Sequence, residues 1–291
     1  MERQPLVSVI INCYNGERYL REAIDSVIAQ TYTNWEIIFW DNQSTDGTRA
    51  IVESYNNPKI HYIYAPQHTP LGEARNLAVE KANGEYINFL DADDIWSPNK
   101  LEEQIKLIVP GQCEVVYTHF KVKYEGGADS DSTMRKYYEQ TYRYKPNPNK
   151  TVYQNLLYRN WIIFSSVLFN KGLFLSLGGV NPSFRQNEDY EILIKCSLKT
   201  DVRGIDDDLV IYRVHSSNNS SINSDSYLLE TRLILDALPQ SKDVEDAKDM
   251  NDVRYAIYHW RNGKKTKAIG MLSSYNKLCV LVKLVAKKIK N

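Results

Sequence analysis

The chain has no surplus of charge of either sign: Lys+Arg and Asp+Glu number 36 each, for a formal net charge of +0. An overall field that gathers a nucleic-acid backbone needs an excess of cations, so no nucleic-acid partner is expected. Cysteine is scarce. Cys13, Cys113, Cys196 and Cys279 are the four in 291 residues, and none sits in a C-x-x-C spacing. Reduced thiols in a cytoplasmic protein are therefore the expectation. No leader pattern precedes the first strand-like run. No apolar run approaches the roughly 18 residues of a membrane span. The longest, Trp161 to Phe169, carries serines and suits a core. Several motifs are absent as well. There is no G-x-x-x-x-G-K-[ST] or G-x-G-x-x-G to cradle phosphates, no H-E-x-x-H or Cys/His cluster for zinc, and no G-x-S-x-G nucleophile elbow.

What is present suits a globular protein with a real core. Apolar residues make up 43% and charged residues 25% of the chain. The length allows one large domain with an appendage, or two domains. Tyrosine is abundant at 21 residues. Its flat apolar face and polar tip suit stacking on a sugar or base, although it is also an ordinary strand residue.

Strand-like and helix-like segments alternate over the first 120 residues. "LVSVIINCYN" from Leu6 reads as a buried strand, and Tyr19 to Ala29 places Leu20, Ala23, Ile24, Val27 and Ile28 on one helical stripe. "WEIIFWD" and "KIHYIY" read as further strands, with a helix from Thr48 to Tyr55 between them. A helix over Leu71 to Lys81 is expected to end in a cap at Asn83-Gly84, and "EYINFL" is a fourth strand. Ser97-Pro98 reads as the cap and first residue of the next helix. The alternation argues a mostly parallel sheet with helices on both faces, whose ligands bind at the carboxyl ends of the strands. Residues 121 to 150 read as long loops with Tyr137, Tyr138, Tyr142 and Tyr144 among them, and a strand is expected at Leu209 to Val214. From Ser224 onward the pattern is helical, and "YAIYHWRNGKKTKAIGML" resembles a single helical hairpin.

The fourth strand runs straight into Asp91, Asp93 and Asp94, three carboxylates in four residues. Such a cluster has two physical readings. Hard oxygen ligands suit Mg²⁺ or Mn²⁺, which take one or two carboxylates plus substrate phosphates. Alternatively, Asp93 or Asp94 simply favours the start of the "SPNKLEEQ" helix.

"VSVIINCYNGERYLREAIDSVIAQTYTNWEIIFWDNQSTDGT" followed by "GEARNLAVEKANGEYINFLDADD" resembles the family 2 glycosyltransferases of the GT-A fold over roughly residues 6 to 215. The resemblance implies that Asp91 and Asp93 form a D-x-D motif. Asp93 would hold a Mn²⁺ or Mg²⁺ ion at a nucleotide diphosphate, and Asp91 would contact the ribose or the metal shell. Asn12, Tyr14 and Asn15 match the nucleotide loop after the first strand. Asp41 matches an aspartate that accepts from uracil, although Asn42-Gln43 follows it where the family commonly has Asp-Gly. Arg75 matches the arginine of "ARN" near the nucleotide, with an exposed helix arginine as the plain alternative. Asp46 reads as a turn residue. "QNEDYE" matches the acceptor side, with Asp189 as general base and Glu188 as its positioner or substitute. The plain alternative is that both acids favour a helix N-terminus. "YRVHSSNNSS" closes the catalytic region, with His215 as a candidate metal ligand or a structural histidine.

These readings give a GT-A catalytic domain over 1–215 and a helical C-terminal extension over 216–291. They imply an inverting, metal-dependent transfer from a nucleotide-diphosphate sugar, with UDP expected, to a hydroxyl of a glycan or lipid-linked glycan. Two alternatives remain: an inactive glycosyltransferase-like binding subunit, and a sugar nucleotidylyltransferase, which would want a Gly-rich basic loop where this chain has "CYNGERYL". The tail from Gly263 to Asn291 carries eight lysines and no acid. Leu278, Leu281, Val282, Val285 and Ile289 fall on one stripe; Lys283, Lys287 and Lys290 fall on another. Such a basic amphipathic helix suits peripheral contact with the inner face of the cytoplasmic membrane, or docking onto the catalytic domain.

Overall fold

The computed structural model describes residues 4–125, 146–215, 218, 225–273 and 277–281. The chain forms two compact units. The first is Met1–Pro146, Trp161–Ser183 and Glu188–Asn218; the second is Asn147–Asn160, Phe184–Asn187 and Asn219–Asn291. Two short segments from within the 1–215 range thus belong with the C-terminal helices. The Lys-rich stripe beyond residue 281 and Tyr137, Tyr138, Tyr142 and Tyr144 lie outside the described residues.

The strands are β1 (Val7–Cys13), β2 (Trp35–Asp41), β3 (Ile60–Tyr64), β4 (Tyr86–Phe89), β5 (Ile95–Trp96), β6 (Cys113–Tyr124), β7 (Leu168–Asn170) and β8 (Asp201–Val214). The helices are α1 (Leu20–Ile28), α2 (Thr48–Glu53), α3 (Leu71–Val79), α4 (Lys100–Leu107), α5 (Val152–Leu156), α6 (Lys171–Ser176), α7 (Glu188–Ser197), α8 (Asp225–Asp236), α9 (Lys242–Arg261) and α10 (Lys265–Met271). Helices α5, α8, α9 and α10 lie in the second unit.

All eight strands form one sheet in the order β3-β2-β1-β4-β7-β6-β8-β5. β1, β2, β3 and β4 are parallel, as the alternating pattern predicts. β7 runs antiparallel between β4 and β6, and β5 pairs antiparallel with β8, so the sheet is mixed. Val7, Val9 and Ile11 pack with Leu20, Ile24 and Val27, the apolar stripe of α1. Helix α3 crosses β1 and β2 outside that cluster. Because β1, β2 and β4 point the same way, Cys13, Asp41 and Leu90 end on one edge.

Three local expectations are corrected. Ser97 does not cap α4, which starts at Lys100 after Asn99. Ser97 is tied to the sheet instead: its N–H donates to Leu209 O at 2.9 Å and its carbonyl accepts Gln30 Nε2 at 2.8 Å. Neither Asp93 nor Asp94 caps that helix. β8 starts at Asp201 rather than Leu209, because parallel pairing with β6 carries the acid-rich "DVRGIDDD" that has no apolar alternation. Gly84 is not a left-handed cap. Its N–H donates to Ser8 Oγ at 2.8 Å, and a methyl group there would lie 2.7 Å from both Leu6 O and Ser8 N. Backbone cannot yield as a flexible side chain does. Gly84→Ala is therefore expected to cost about 1–3 kcal/mol, as overpacking does, read as a lower urea midpoint with an unchanged m-value.

In the second unit, Ser241 caps α9 by accepting the Val244 N–H at 3.2 Å. Glu230 of α8 accepts the N–H groups of Arg185, Gln186 and Asn187 at 3.0, 3.0 and 3.1 Å. That carboxylate explains why Phe184–Asn187 clusters with the C-terminal helices. Among the described residues, no helix is long and apolar enough to cross a membrane.

Candidate active site

Three clustered carboxylates are tolerated only if each finds its own donors. Asp91 Oδ1 accepts Arg75 Nη2 at 3.1 Å, and the Asp91 N–H donates to Ser165 Oγ at 3.1 Å. Asp93 Oδ2 meets His215 Nε2 at 3.0 Å and accepts Asn218 Nδ2 at 3.3 Å. Asp94 Oδ1 accepts the Arg213 backbone N–H at 3.0 Å. Asp94 is buried, and burial first, then the Asp93 and Asp91 charges, push its carboxyl well above the usual range. Asp93 keeps 26% of its side chain exposed, and Asp91 is also part-exposed. The crevice therefore faces Asp91 and Asp93, while Asp94 turns inward.

Arg75 is buried on α3, not an exposed helix arginine. Its guanidinium lies over the Phe164 ring at 4.7 Å, and its Nη1 donates to Glu188 Oε1 at 2.9 Å. One side chain thus joins the end of β4 to the first turn of α7. Those two acidic stretches are far apart in sequence, and sequence reading treats them as separate motifs. Glu188 Oε2 is buried and has no hydrogen-bond partner among the described residues. Asp189 has its carboxyl raised to about 7, first by burial and then by the Glu188 charge, while Arg75 pulls the other way. A group poised near neutrality is matched to general-base work.

The loops after β1 and β2 are interlocked. Asn15 has a left-handed φ of 56°. Its N–H donates to Ser44 Oγ at 2.9 Å, and its Oδ1 accepts the Thr45 N–H at 2.8 Å. Asp46 is a turn residue: its carboxylate accepts the Thr48 and Glu17 N–H groups, each at 3.0 Å. Asp41 is fully buried, and its two oxygens accept the Ser44 N–H and the Tyr62 hydroxyl, each at 2.7 Å. Any further acceptance by Asp41 uses its remaining lone pairs. Tyr14 is exposed, edge-on to His68 with centroids 4.7 Å apart. Asn12 Nδ2, on β1, is buried and has no hydrogen-bond partner among the described residues. A methyl group on Gly16 would come within 3.5 Å of Ala92 Cβ, so the β1 loop sits against the Asp91–Asp94 turn.

Sequence reading missed Arg213. It is 1% exposed on β8 and lies over the Tyr19 ring at 4.4 Å. Its Nε donates to Asp93 O at 2.8 Å, its Nη2 meets Glu22 at 3.0 Å, and its Nη1 meets Glu125. His215, two residues on, stacks on the same Tyr19 at 4.8 Å. The available signal was an arginine inside an apolar strand, in a chain whose acid cluster needs cations. Lysine could not span three partners from one planar fork. Arg213→Met is expected to cost about 1–3 kcal/mol, since it strands the Asp93 carbonyl while Glu125 keeps Lys123 at 2.8 Å and Glu22 is half exposed. Arg213→Lys should fall between parent and Met variant in urea unfolding.

As a metal site, the donors are carboxylate oxygens and one imidazole, which fit Mn²⁺ or Mg²⁺. Among the described residues no three ligating side chains form a preformed cage.

Residues 8–168 match the family model "Glycosyl transferase family 2". The chain belongs to glycosyltransferase family 2. This family 2 chain is 30% identical over 218 residues to the UDP-Glc:alpha-D-GlcNAc-diphosphoundecaprenol beta-1,3-glucosyltransferase WfgD of Escherichia coli, covering 74% of this chain and 80% of that enzyme. It is 38% identical over 130 residues to TuaG of Bacillus subtilis, a glycosyltransferase assigned to teichuronic acid biosynthesis, spanning 44% of this chain and 52% of that protein. The chain thus spans about half of TuaG's length. Among solved structures, S. aureus TarS 1–349 in complex with UDP-GlcNAc superposes with a TM-score of 0.66 at 19% identity, covering 95% of this chain and 78% of that one. The mannosyltransferase PcManGT of Pyrobaculum calidifontis, in complex with GDP-Man and Mn²⁺, superposes with a TM-score of 0.66 at 17% identity, covering 99% of this chain and 81% of that one. At those identities the likeness fixes the fold alone, which is GT-A.

Proposed function

We propose that this glycosyltransferase moves a hexose or N-acetylhexosamine from a UDP-sugar to a hydroxyl of a glycan or lipid-linked glycan, with inversion and with a divalent cation. The observation that carries the reading is the Arg75 clamp, which holds Asp91 at 3.1 Å and Glu188 at 2.9 Å. It ties the carboxylates suited to a nucleotide diphosphate to the acid pair suited to an acceptor. The relatives' own ligands favour uridine without deciding it: WfgD uses UDP-Glc and one TarS structure holds UDP-GlcNAc, whereas PcManGT holds GDP-Man.

In this reading Asp189, ionised, takes the proton of the acceptor hydroxyl. The hydroxyl oxygen bonds to the anomeric carbon from the face opposite the leaving group, and the bond from that carbon to the diphosphate oxygen breaks. Glu188, fixed by Arg75, positions the acceptor beside Asp189. Asn12, Tyr14, Asn15 and Asp41 hold the nucleoside, and Asp91 its ribose. Asp93, with His215, would hold the Mn²⁺ or Mg²⁺ ion, which when bound supplies positive charge against the diphosphate. Arg213 keeps the Asp93–Asp94 backbone in place.

Titration calorimetry of UDP, GDP, ADP and CDP, with and without Mn²⁺, tests the donor half. Tightest binding of UDP, strengthened by Mn²⁺, is expected. Preference for another base, or no effect of the metal, would overturn the UDP or the metal assignment respectively.

A further inference from the structure

We infer that the turn joining α9 to α10 is a docking surface for an anionic lipid bilayer. The inference does not depend on the donor or acceptor chosen above. From Val253 to Asn291 there is no Asp or Glu and there are ten Lys and Arg, within a chain whose charges balance only as a whole. The remaining sequence therefore carries the compensating acid, and the cationic charge is segregated at one end of the chain. Some of these cations are used internally. Arg254 Nη1 donates to Tyr158 O at 2.8 Å, and Lys277 Nζ pairs with Asp252 at 2.6 Å. The cations around the turn behave differently. Trp260 to Lys267 is an unbroken exposed stretch that contains Arg261, Lys264, Lys265 and Lys267. None of these four forms an ion pair with a carboxylate among the described residues.

Charge complementarity asks for an anionic partner, and the apolar side chains at the turn select its class. Trp260 is 51% exposed and Ile269 is 61% exposed, large apolar residues left in water beside the cations. Lys265 Nζ lies over the Trp260 ring at 5.6 Å. Lysines alone would suit an acidic soluble partner; an indole and an isoleucine interleaved with the cations are the combination that a headgroup region takes up. A bilayer uses both: indole settles at the headgroup level, and lysines meet anionic headgroups. The turn can present these residues because its base is packed. Ala268 and His259 are buried, and the Lys264 N–H donates to His259 O at 2.9 Å. The sequence pattern assigns membrane contact to the tail from Gly263 to Asn291 as a whole, through a stripe that starts at Leu278; the described turn at the head of that tail supplies exposed cations and an indole of its own.

The test is sedimentation of the full chain with phosphatidylcholine vesicles, pure or containing phosphatidylglycerol, at low salt. The parent should partition onto the anionic vesicles and only weakly onto the neutral ones. Each lysine near an anionic surface changes the partition coefficient about fivefold. Lys264→Ser, Lys265→Ser and Lys267→Ser together should therefore lower it about 100-fold, while the same three changed to Arg retain it. Trp260→Ser should weaken binding in the anionic case further. Equal partitioning of parent and triple Ser variant would overturn the inference, as would equal binding of the parent to neutral and anionic vesicles. Polyglutamate bound as tightly as anionic vesicles would do the same, since it would mark a plain acidic-partner site. Far-UV circular dichroism checks that the variants keep their helices. Should the triple Ser variant lose them, the parent's preference between the two vesicle types still decides.

Discussion

Asp189→Asn is expected to bind the donor as the parent does and to transfer sugar about 10²–10⁴-fold more slowly, the usual range for a lost general base. The amide keeps the size of the carboxyl but cannot take a proton. The pH dependence separates this from a structural effect. With its carboxyl raised to about 7, Asp189 is protonated and idle in acid, so the parent's rate should climb with pH and level off above neutrality. The variant's residual rate should not follow that rise. Stability should respond in the opposite sense. A carboxyl whose folded value lies above its ordinary value of 3.8 favours the folded state only while protonated. The parent therefore loses that contribution as pH rises from about 4 through 7, whereas the amide of the variant has no proton to lose. The variant should gain on the parent in melting temperature between about pH 4 and pH 7, and the difference should level off above that. A variant that transfers at near-parental speed would move the base elsewhere, with Glu188→Gln tested next.

Asp93→Ala is expected to abolish the metal dependence of nucleotide binding. Asp93 has a part-exposed carboxylate that pairs with His215 at 3.0 Å. Its backbone carbonyl, which holds Arg213 Nε at 2.8 Å, survives the substitution, so the turn should keep its shape. Calorimetry of UDP in Mn²⁺ should then give the affinity that the parent shows without metal, and adding Mn²⁺ should change nothing. UDP binding as tight as the parent's, with the same Mn²⁺ response, would remove Asp93 from the metal site.

The four parallel strands were legible because each is a continuous β-branched and aromatic run closing in polar residues, from "VSVIINC" to "YINF". β7 was not, since Leu168–Asn170 is too short to show a period and takes its identity from partners on both sides. The first half of β8 was hidden by its acids. In the site, the ordered motifs brought Asp91, Asp93, Glu188 and Asp189 to attention. What they could not show was the wiring between them, because a guanidinium bridging Asp91 and Glu188 leaves no local pattern. Arg213 was missed for the same reason: its partners Glu22, Asp93 and Glu125 come from three separate stretches. Glu230 likewise holds residues 185–187 across a wide sequence gap.

The central claim is a single displacement at the anomeric carbon, driven by Asp189 on one side of the donor. Its most direct test is ¹H NMR of the sugar first released when the parent, supplied with Mn²⁺, slowly hydrolyses a UDP-sugar whose sugar is α-linked. Water then stands in for the acceptor hydroxyl. The account predicts that the β-anomer appears first, before mutarotation mixes the two, and that Asp189→Asn suppresses its release. The α-anomer appearing first would contradict it.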